Sequence, residues 1–259
     1  MDFLHRPVPH LGKTAFRLGL AFSYGVDPSS AESALERGVN YLFWTSRSSA
    51  FKPVIQAAMK KDREKLIIAS GPLIGYFGAT IRSGCESLLR ELGTDYIDVF
   101  HLFWLGITSA YTDGTVETLL KLKEEGKIRA IGTSIHDRPR AGRLAEDSAI
   151  DLFMLRYNAA HPGAEQDVFP HLEKRKPAVV AYTATAWRKL LKPPKGWDGP
   201  GMSAGDCYRF ALSNPSVDVC LTGPADRAQL DANLAALEKG PLSAEEMEWI
   251  RRYGKAVHG

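Results

Sequence analysis

The stretch from Leu92 to Trp104, LGTDYIDVFHLFW, decides the fold that this sequence predicts. Gly93 can end a helix, and the following run from Tyr96 to Trp104 is rich in β-branched and aromatic residues. That run is too apolar for a strand with one face in water, so it predicts a strand buried on both faces, as in a parallel sheet. The segment Gly126–Ser134, GKIRAIGTS, repeats the order of helix stop, basic residue, short apolar strand and small polar residues.

The same alternation of apolar strands and helices runs along the whole chain. Strands are predicted over residues 16–22, 38–44, 65–70, 96–104, 128–134, 151–155, 178–184 and 218–222. Helices are predicted over residues 28–38, 51–61, 78–92, 116–125, 139–146, 165–175, 204–214, 227–238 and 243–253. No G-x-G-x-x-G follows a strand, which disfavours a doubly wound dinucleotide-binding sheet. Residues 1–259 are therefore predicted to form one α/β domain, a closed (β/α)₈ TIM barrel, with its site at the C-terminal ends of the strands.

Composition excludes several classes of protein. With 259 residues, 44% hydrophobic, 24% charged and a net charge of +3, the chain has the composition of a soluble globular protein. It has no dense run of basic residues, so nucleic-acid binding is not expected. Its three cysteines lack metal-ligand or disulfide spacing, no 18-residue apolar run exists and the start does not resemble a secretion signal. We therefore expect a cytoplasmic protein without a metal site or a membrane partner.

Two motifs give the chain a family resemblance. The segment LGTDYIDVF followed by Trp104, and the later segment LKEEGKIRAIGTS, resemble the aldo-keto reductase family's LGTDYIDLYxxHW and KEGKIRAIGVSN. The likeness extends from about Leu18 to Leu242. It implies a (β/α)₈ barrel, the cofactor NADP(H) and an oxidoreductase activity on a carbonyl substrate.

The resemblance also implies that the usual catalytic tetrad is replaced. Reductases of this family use a Tyr as the acid, a Lys and an Asp that tune it, and a His that orients the substrate. Phe43 stands where the family has Asp, Ser48 where it has Tyr, Gly71 where it has Lys and Phe103 where it has His. The two Phe residues predict an apolar floor for the pocket, and any redox chemistry would need other residues.

Several other residues are weak candidates for that role. Tyr24 follows the first strand, and His136 and His161 lie on loops at the C-terminal ends of strands, although surface or structural roles are favoured for all three. His101 is expected to be packed and hydrogen-bonded inside the barrel. Trp44, Arg47 and Ser48 would offer an apolar wall, a cation and a hydroxyl to an anionic or polar ligand.

The cofactor side of the family pattern is better kept. The segments RYNAAHPGAE, AYTA and LTGPADRAQLDANLAAL resemble family segments that contact the cofactor, with Tyr182 at the position of the aromatic residue that stacks on the nicotinamide ring. Met154 and Ile135 replace two amide side chains of the family pattern. The resemblance implies cofactor contacts for Ser134, Tyr157, Tyr182, Thr183, Thr222, Gly223, Pro224, Arg227, Gln229 and Asn233.

Two functions follow from these observations. The first is an NADP(H)-dependent oxidoreductase with an atypical active site. The alternative is a catalytically inactive regulatory barrel that binds a nucleotide or another small molecule. The substrate, the choice between NADPH and NADH, and the oligomeric state are not readable from the sequence.

Overall fold

A computed structural model of the chain describes residues 2–22 and 26–258, so the candidate Tyr24 lies outside the described residues. The strands are β1 (His5–Val8), β2 (Lys13–Phe16), β3 (Leu18–Ala21), β4 (Tyr41–Phe43), β5 (Ile67–Ser70), β6 (Ile97–Leu102), β7 (Ile128–Ser134), β8 (Leu152–Arg156), β9 (Ala178–Tyr182) and β10 (Val219–Thr222). The α-helices are α1 (Pro28–Glu36), α2 (Lys52–Asp62), α3 (Gly78–Leu92), α4 (Asp113–Glu124), α5 (Arg138–Glu146), α6 (Ala164–Asp167), α7 (Ala204–Ser213), α8 (Arg227–Glu238) and α9 (Ala244–His258).

Strands β3 to β10 form a closed parallel barrel, which confirms the predicted (β/α)₈ fold. Each strand pairs with the next along the chain, and β10 closes the ring on β3 with Cys220 opposite Leu18. The helix signals read from the sequence act as expected at α1, where the Asp27 side chain accepts a hydrogen bond from the Ser30 N–H at 2.9 Å and Pro28 occupies the first turn. Within residues 2–22 and 26–258, no helix is both long and apolar enough to cross a bilayer.

Two parts of the fold differ from the sequence prediction. Strands β1 and β2 form an antiparallel hairpin ahead of the barrel that the sequence analysis did not predict. The helix predicted over residues 165–175 is wrong: the structure has only the short α6 and a 3-10 turn from Phe169 to His171. Pro170 explains the interruption, because its ring cannot donate a backbone hydrogen bond and clashes with the preceding helical turn.

Alternation along the strands separates two apolar layers. The outer layer lies between the strands and the helices, and the inner layer fills the barrel. The hairpin contributes Val8 and Ala15 to the inner layer, which continues through Tyr41, Ile67, Val99, Leu152, Val180 and Val219. The hairpin therefore closes the N-terminal end of the barrel and leaves the C-terminal ends of the strands as the open side.

Three buried aspartates tie neighbouring strands together near their N-terminal ends. Asp98, Asp151 and Asp218 accept hydrogen bonds from the backbone N–H groups of Ile68, Ile131 and Val179, at 2.9, 2.9 and 2.8 Å. Each carboxylate also pairs with at least one Lys or Arg side chain. Paired in this way, the buried charges are stabilised and fix the positions of the strands relative to one another.

Candidate functional site

The floor of the open end is a stack of three aromatic rings. Phe43, at the end of β4, lies edge-to-face against Phe103, with 5.7 Å between ring centroids. The ring of His101 is stacked under Phe103 at 5.6 Å and meets Phe43 edge-on at 5.8 Å. The structure thus brings together Phe43 and Phe103, two of the residues that the sequence analysis assigns to tetrad positions, and neither side chain can donate or accept a proton.

His101 lies inside the barrel as expected, but the expected hydrogen bond is absent. The side chain is fully buried, and neither ring nitrogen has a hydrogen-bond partner among the described residues. Burial lowers the pKa of His101 to about 3. The imidazole is therefore neutral at physiological pH, and Phe103 separates it from the open end of the barrel.

Gly71 and Ser48, which the sequence analysis assigns to the other two tetrad positions, lie in different surroundings. A Cβ atom added at Gly71 would approach the carbonyl oxygen of His101 to 2.2 Å, so the backbones leave no room for a side chain. Ser48 is buried in a 3-10 turn, and its carbonyl accepts a hydrogen bond from the indole N–H of Trp44 at 2.9 Å. Trp44 is fully buried, so the expectation that it lines the pocket was wrong: its ring packs in the core.

Polar groups at the open end converge on one side of the floor. His136 follows β7, and its ring nitrogens lie 3.4 and 3.5 Å from the hydroxyl of Tyr182, at the end of β9. Burial, followed by the charge of Arg156, lowers the pKa of His136. The exposed imidazole of His136 is therefore neutral and lies beside the phenol hydroxyl of Tyr182. Among the candidates from the sequence that the structure describes, these two form the one pair of titratable groups in contact at this face.

Arg156 is a site residue that the sequence analysis did not single out. It is the last residue of β8, lies opposite Tyr182 in the strand register and shares the barrel-facing side with Met154. The side chain is partly buried, its guanidinium carbon lies 5.7 Å from the ring centroid of Trp187, and no carboxylate pairs with it in the described parts of the chain. The sequence did contain a signal for this position. Arg156 comes two residues after Met154 on the same strand, so both side chains point to the barrel interior.

His161 lies on the far side of Trp187. Its Nδ1 atom is 3.1 Å from the side-chain oxygen of Asn158, and its ring meets Trp187 edge-on at 6.3 Å. Asn158 in turn donates a hydrogen bond to the Thr183 carbonyl at 2.8 Å, which links the loop after β8 to the loop after β9. Burial, and then the charge of Arg156, lowers the pKa of His161.

The loop after β9 has an unusual backbone. Thr183, Ala186, Trp187 and Arg188 all have positive φ, between 50° and 70°. Non-glycine residues pay a steric penalty in this conformation, which persists where surrounding contacts enforce it, often at functional sites. The Thr183 hydroxyl is also buried without a hydrogen-bond partner among the described residues.

The residues with expected cofactor contacts do not form one group. Asn233 donates to the Thr222 hydroxyl at 3.2 Å, and that hydroxyl donates to Tyr208 at 2.9 Å, in a buried network. Tyr157 lies in the outer layer, bonded to Glu165 at 2.5 Å and to Asn214 at 3.1 Å, away from the barrel interior.

Expected cofactor residues at the start of α8 and the end of β7 also form hydrogen bonds or ion pairs within the chain. Past Gly223 and Pro224, Asp226 caps α8 by accepting from the Gln229 N–H at 2.8 Å, so an anion already occupies the helix terminus. The exposed Arg227 pairs with Asp231 one turn along. At β7, the Ser134 hydroxyl accepts from the Trp104 N–H at 2.8 Å.

Comparison with known proteins defines the class and then the family. The barrel matches the holo form of the aldo-keto reductase AKR11C1 from Bacillus halodurans, with a TM-score of 0.81 and 24% identity over 97% of this chain and 96% of that one. The family model "Aldo/keto reductase family" matches residues 34–192, which is more than half of the chain. The protein belongs to the aldo/keto reductase family.

Two curated relatives match over part of their length. "Methylglyoxal reductase YeaE" of Escherichia coli is 32% identical over 54% of this chain and 50% of its own length. "NADH-specific methylglyoxal reductase" of the same organism is 31% identical over 35% of this chain and 28% of its own length. The chain thus spans less than two thirds of either relative. An aldo/keto reductase from Klebsiella pneumoniae, solved in complex with NADP and acetate, matches with a TM-score of 0.76 and 21% identity over 95% of this chain and 94% of that one.

Proposed function

We propose that the protein binds a nicotinamide dinucleotide, NADP(H), at the C-terminal face of the barrel and reduces a small carbonyl compound without the usual tetrad. The observation that carries this proposal is the grouping of His136 and Tyr182 beside the apolar floor of Phe43 and Phe103. Family membership supports a nicotinamide cofactor, since the names of relatives include NADH and NADP as cofactors and methylglyoxal as a substrate.

The nicotinamide end of such a site fits the residues present. Tyr182 offers a partly buried ring, and the orphaned hydroxyl of Thr183 beside it is a buried polar group that a ligand amide could satisfy. The bound cofactor would supply the hydride. His136 would hydrogen-bond the carbonyl oxygen and deliver the proton, with the Tyr182 hydroxyl positioning its ring.

The phosphate end fits less well than the family pattern implies. Asp226 occupies the terminus of α8, and Arg227 already has a carboxylate partner in Asp231. Weak binding, and no strong preference for NADPH over NADH, are the expected consequences. Both dinucleotides therefore belong in the first experiment.

The experiment follows quenching of tryptophan fluorescence as NADPH or NADH is added, in the wild type, Tyr182→Ala and Tyr182→Phe. If Tyr182 stacks on the nicotinamide ring, Tyr182→Ala weakens binding by about 10-fold, because stacking contributes on the order of 1 kcal/mol or more, whereas Tyr182→Phe retains the ring and the affinity. No saturable binding at millimolar dinucleotide would exclude the proposal.

Turnover is tested with methylglyoxal as the first carbonyl probe. His136→Gln is expected to lower kcat/KM by about 10²-fold or more if His136 delivers the proton. Because the pKa of His136 is lowered, the imidazolium form accumulates only in acid, so wild-type kcat/KM should rise as pH falls below 7 and His136→Gln should lose that rise.

A second function is favoured by the floor itself. This hypothesis is supported by the stack of Phe43, His101 and Phe103, whose Phe rings carry no proton donor, and by the lack of room for a side chain at Gly71. A nucleotide-binding barrel without catalysis would bind dinucleotide in the titration, with the same dependence on Tyr182, and show no turnover with any carbonyl probe.

A further inference from the structure

In the described part of the chain, one arginine at the open end of the barrel has no carboxylate partner, and other basic side chains lie nearby. The side chain of Arg156 is partly buried and forms no hydrogen bond or ion pair within residues 2–22 and 26–258. By contrast, the arginines at the opposite end are paired: Arg63 lies 2.8 Å from Asp98, and Arg6 lies 2.9 Å from Asp218. A guanidinium that is partly removed from water without an acceptor is costly, so such a group is commonly matched to a ligand.

The electrostatics of the neighbouring histidines indicate the sign of that ligand. After burial, four neighbouring basic groups lower the pKa of His161: Arg156, His258, Lys189 and Arg138, of which Arg138 is itself paired with Asp167. Arg156 is also the one charge that depresses the pKa of His136. Both imidazoles therefore lie in a field that disfavours further positive charge and attracts anions.

The geometry around Arg156 restricts its side chain. Trp187 lies 5.7 Å from the guanidinium carbon, a separation at which the ring face attracts the cation. Trp187 itself is held by a left-handed backbone and by the edge-to-face contact with His161. On the neighbouring strand, β9 places Tyr182 opposite Arg156 in register, so Arg156 stands beside the strand end that carries the polar group of His136 and Tyr182.

We infer that Arg156 is a specificity-determining residue that binds the carboxylate of an oxo-acid substrate, with Trp187 holding the guanidinium and His136 facing the carbonyl end. A planar carboxylate takes two parallel hydrogen bonds from an arginine fork, and the apolar floor of Phe43 and Phe103 excludes water from one side of the ligand. The inference rests on the proposed reductase function for the carbonyl end of the ligand, whereas the anion site can be tested without the cofactor.

The test compares pyruvate with its neutral amide, pyruvamide, by Trp fluorescence and calorimetry on the nucleotide-free protein. The wild type should bind pyruvate at least about 10-fold more tightly than pyruvamide, because the charge-assisted pair is lost with the amide. Arg156→Gln should remove this difference, and Arg156→Lys should keep part of it. Arg188→Gln is the matched control: Arg188 is exposed, lies in the loop after β9 and carries the same charge, and its loss should leave both affinities unchanged.

A second arm distinguishes a substrate carboxylate from a cofactor phosphate. If Arg156 serves the substrate, Arg156→Gln leaves NADPH affinity within about 2-fold and pyruvate still binds in the presence of saturating NADPH. If NADPH binding falls with Arg156→Gln and NADPH competes with pyruvate, the anion is the cofactor's phosphate and the assignment to substrate is overturned. Equal binding of pyruvate and pyruvamide to the wild type also overturns it. Pyruvate binding that depends on Arg156, in a protein that binds no dinucleotide, would exclude the reductase proposal while the anion site stands.

Discussion

At the scale of single residues, Gly71 lies where two backbones approach too closely for a side chain. A Cβ atom there would lie 2.2 Å from the His101 carbonyl oxygen, well inside van der Waals contact with a backbone atom that cannot rotate away. We expect Gly71→Ala to lower the free energy of unfolding by about 1–3 kcal/mol, measured by chemical denaturation. Gly114→Ala, in open space on α4, is the control and should cost nothing. Equal stability of the two variants would contradict the close approach of β5 and β6.

His101 gives the molecule a pH dependence of stability. Its pKa is about 3 in the folded protein against an ordinary value of 6.5, so below pH 6.5 the unfolded chain binds a proton that the folded chain does not. Stability should therefore fall as pH is lowered from 6.5 towards 3, by about 2–3 kcal/mol between pH 7 and pH 4.5 from this group alone. Urea denaturation of the wild type and His101→Leu at both pH values measures it. The same pH dependence in both proteins would exclude His101 as its source.

Residue identity alone predicted some of this site and not the rest. The apolar floor of Phe43 and Phe103 was readable, because both side chains fall at the ends of inward-facing strands. The prediction that Trp44 lines the pocket was wrong because its indole N–H donates a hydrogen bond to the Ser48 carbonyl, which allows the ring to be buried. That contact depends on the turn between the two residues. Arg156 was missed because whether an arginine is paired depends on carboxylates distant in sequence.

At the scale of elements, Asp98 links three parts of the barrel. Its carboxylate lies 2.8 Å from Lys13 of the hairpin and 2.8 Å from Arg63 after α2, and accepts from the Ile68 N–H of β5. Removing it would leave two partly buried cations and a buried N–H without their acceptor. We expect Asp98→Ala to lower the unfolding free energy by about 3–5 kcal/mol.

The control for this variant is Glu117→Ala, which breaks a solvent-exposed pair with Lys121 on α4 and should leave the free energy of unfolding almost unchanged. Thermal or urea denaturation of the two variants side by side makes the comparison. A loss for Asp98→Ala as small as that for Glu117→Ala would contradict the linking role of Asp98.

Periodicity predicted the barrel elements well, and local chemistry explains the failures. Buried strands such as β6 are apolar on both faces, so their sequence is distinctive. The wrong helix over residues 165–175 kept a helical pattern of apolar residues although Pro170 interrupts it, and Glu165 is engaged by Tyr157 and Arg251 instead of facing solvent. The hairpin of β1 and β2 was missed because its short strands carry few apolar residues, and their burial depends on the barrel above them.

At the scale of the whole molecule, the two ends of the barrel carry different kinds of residues. The N-terminal end holds the hairpin and the three aspartates, while the open C-terminal end holds His136, Arg156, Tyr182 and the aromatic floor. In barrels of this kind the C-terminal ends of the strands carry function and the other end carries stability. A substitution at the N-terminal end should therefore change the stability of the protein without changing the binding of ligands at the C-terminal end.

Val8 provides that separation, because it is only 3% exposed and packs into the inner layer from the hairpin. We expect Val8→Ala to lower the unfolding free energy by about 1–3 kcal/mol through lost burial and a residual cavity. The affinities for NADPH and pyruvate, measured well below the unfolding transition, should stay at their wild-type values, since every barrel strand between hairpin and site is hydrogen-bonded to a neighbour on both sides. Affinities that weaken in Val8→Ala in step with stability would instead mean that the open end depends on the packing of the inner layer, and the loop strain at Trp187 would be the place to look for that coupling.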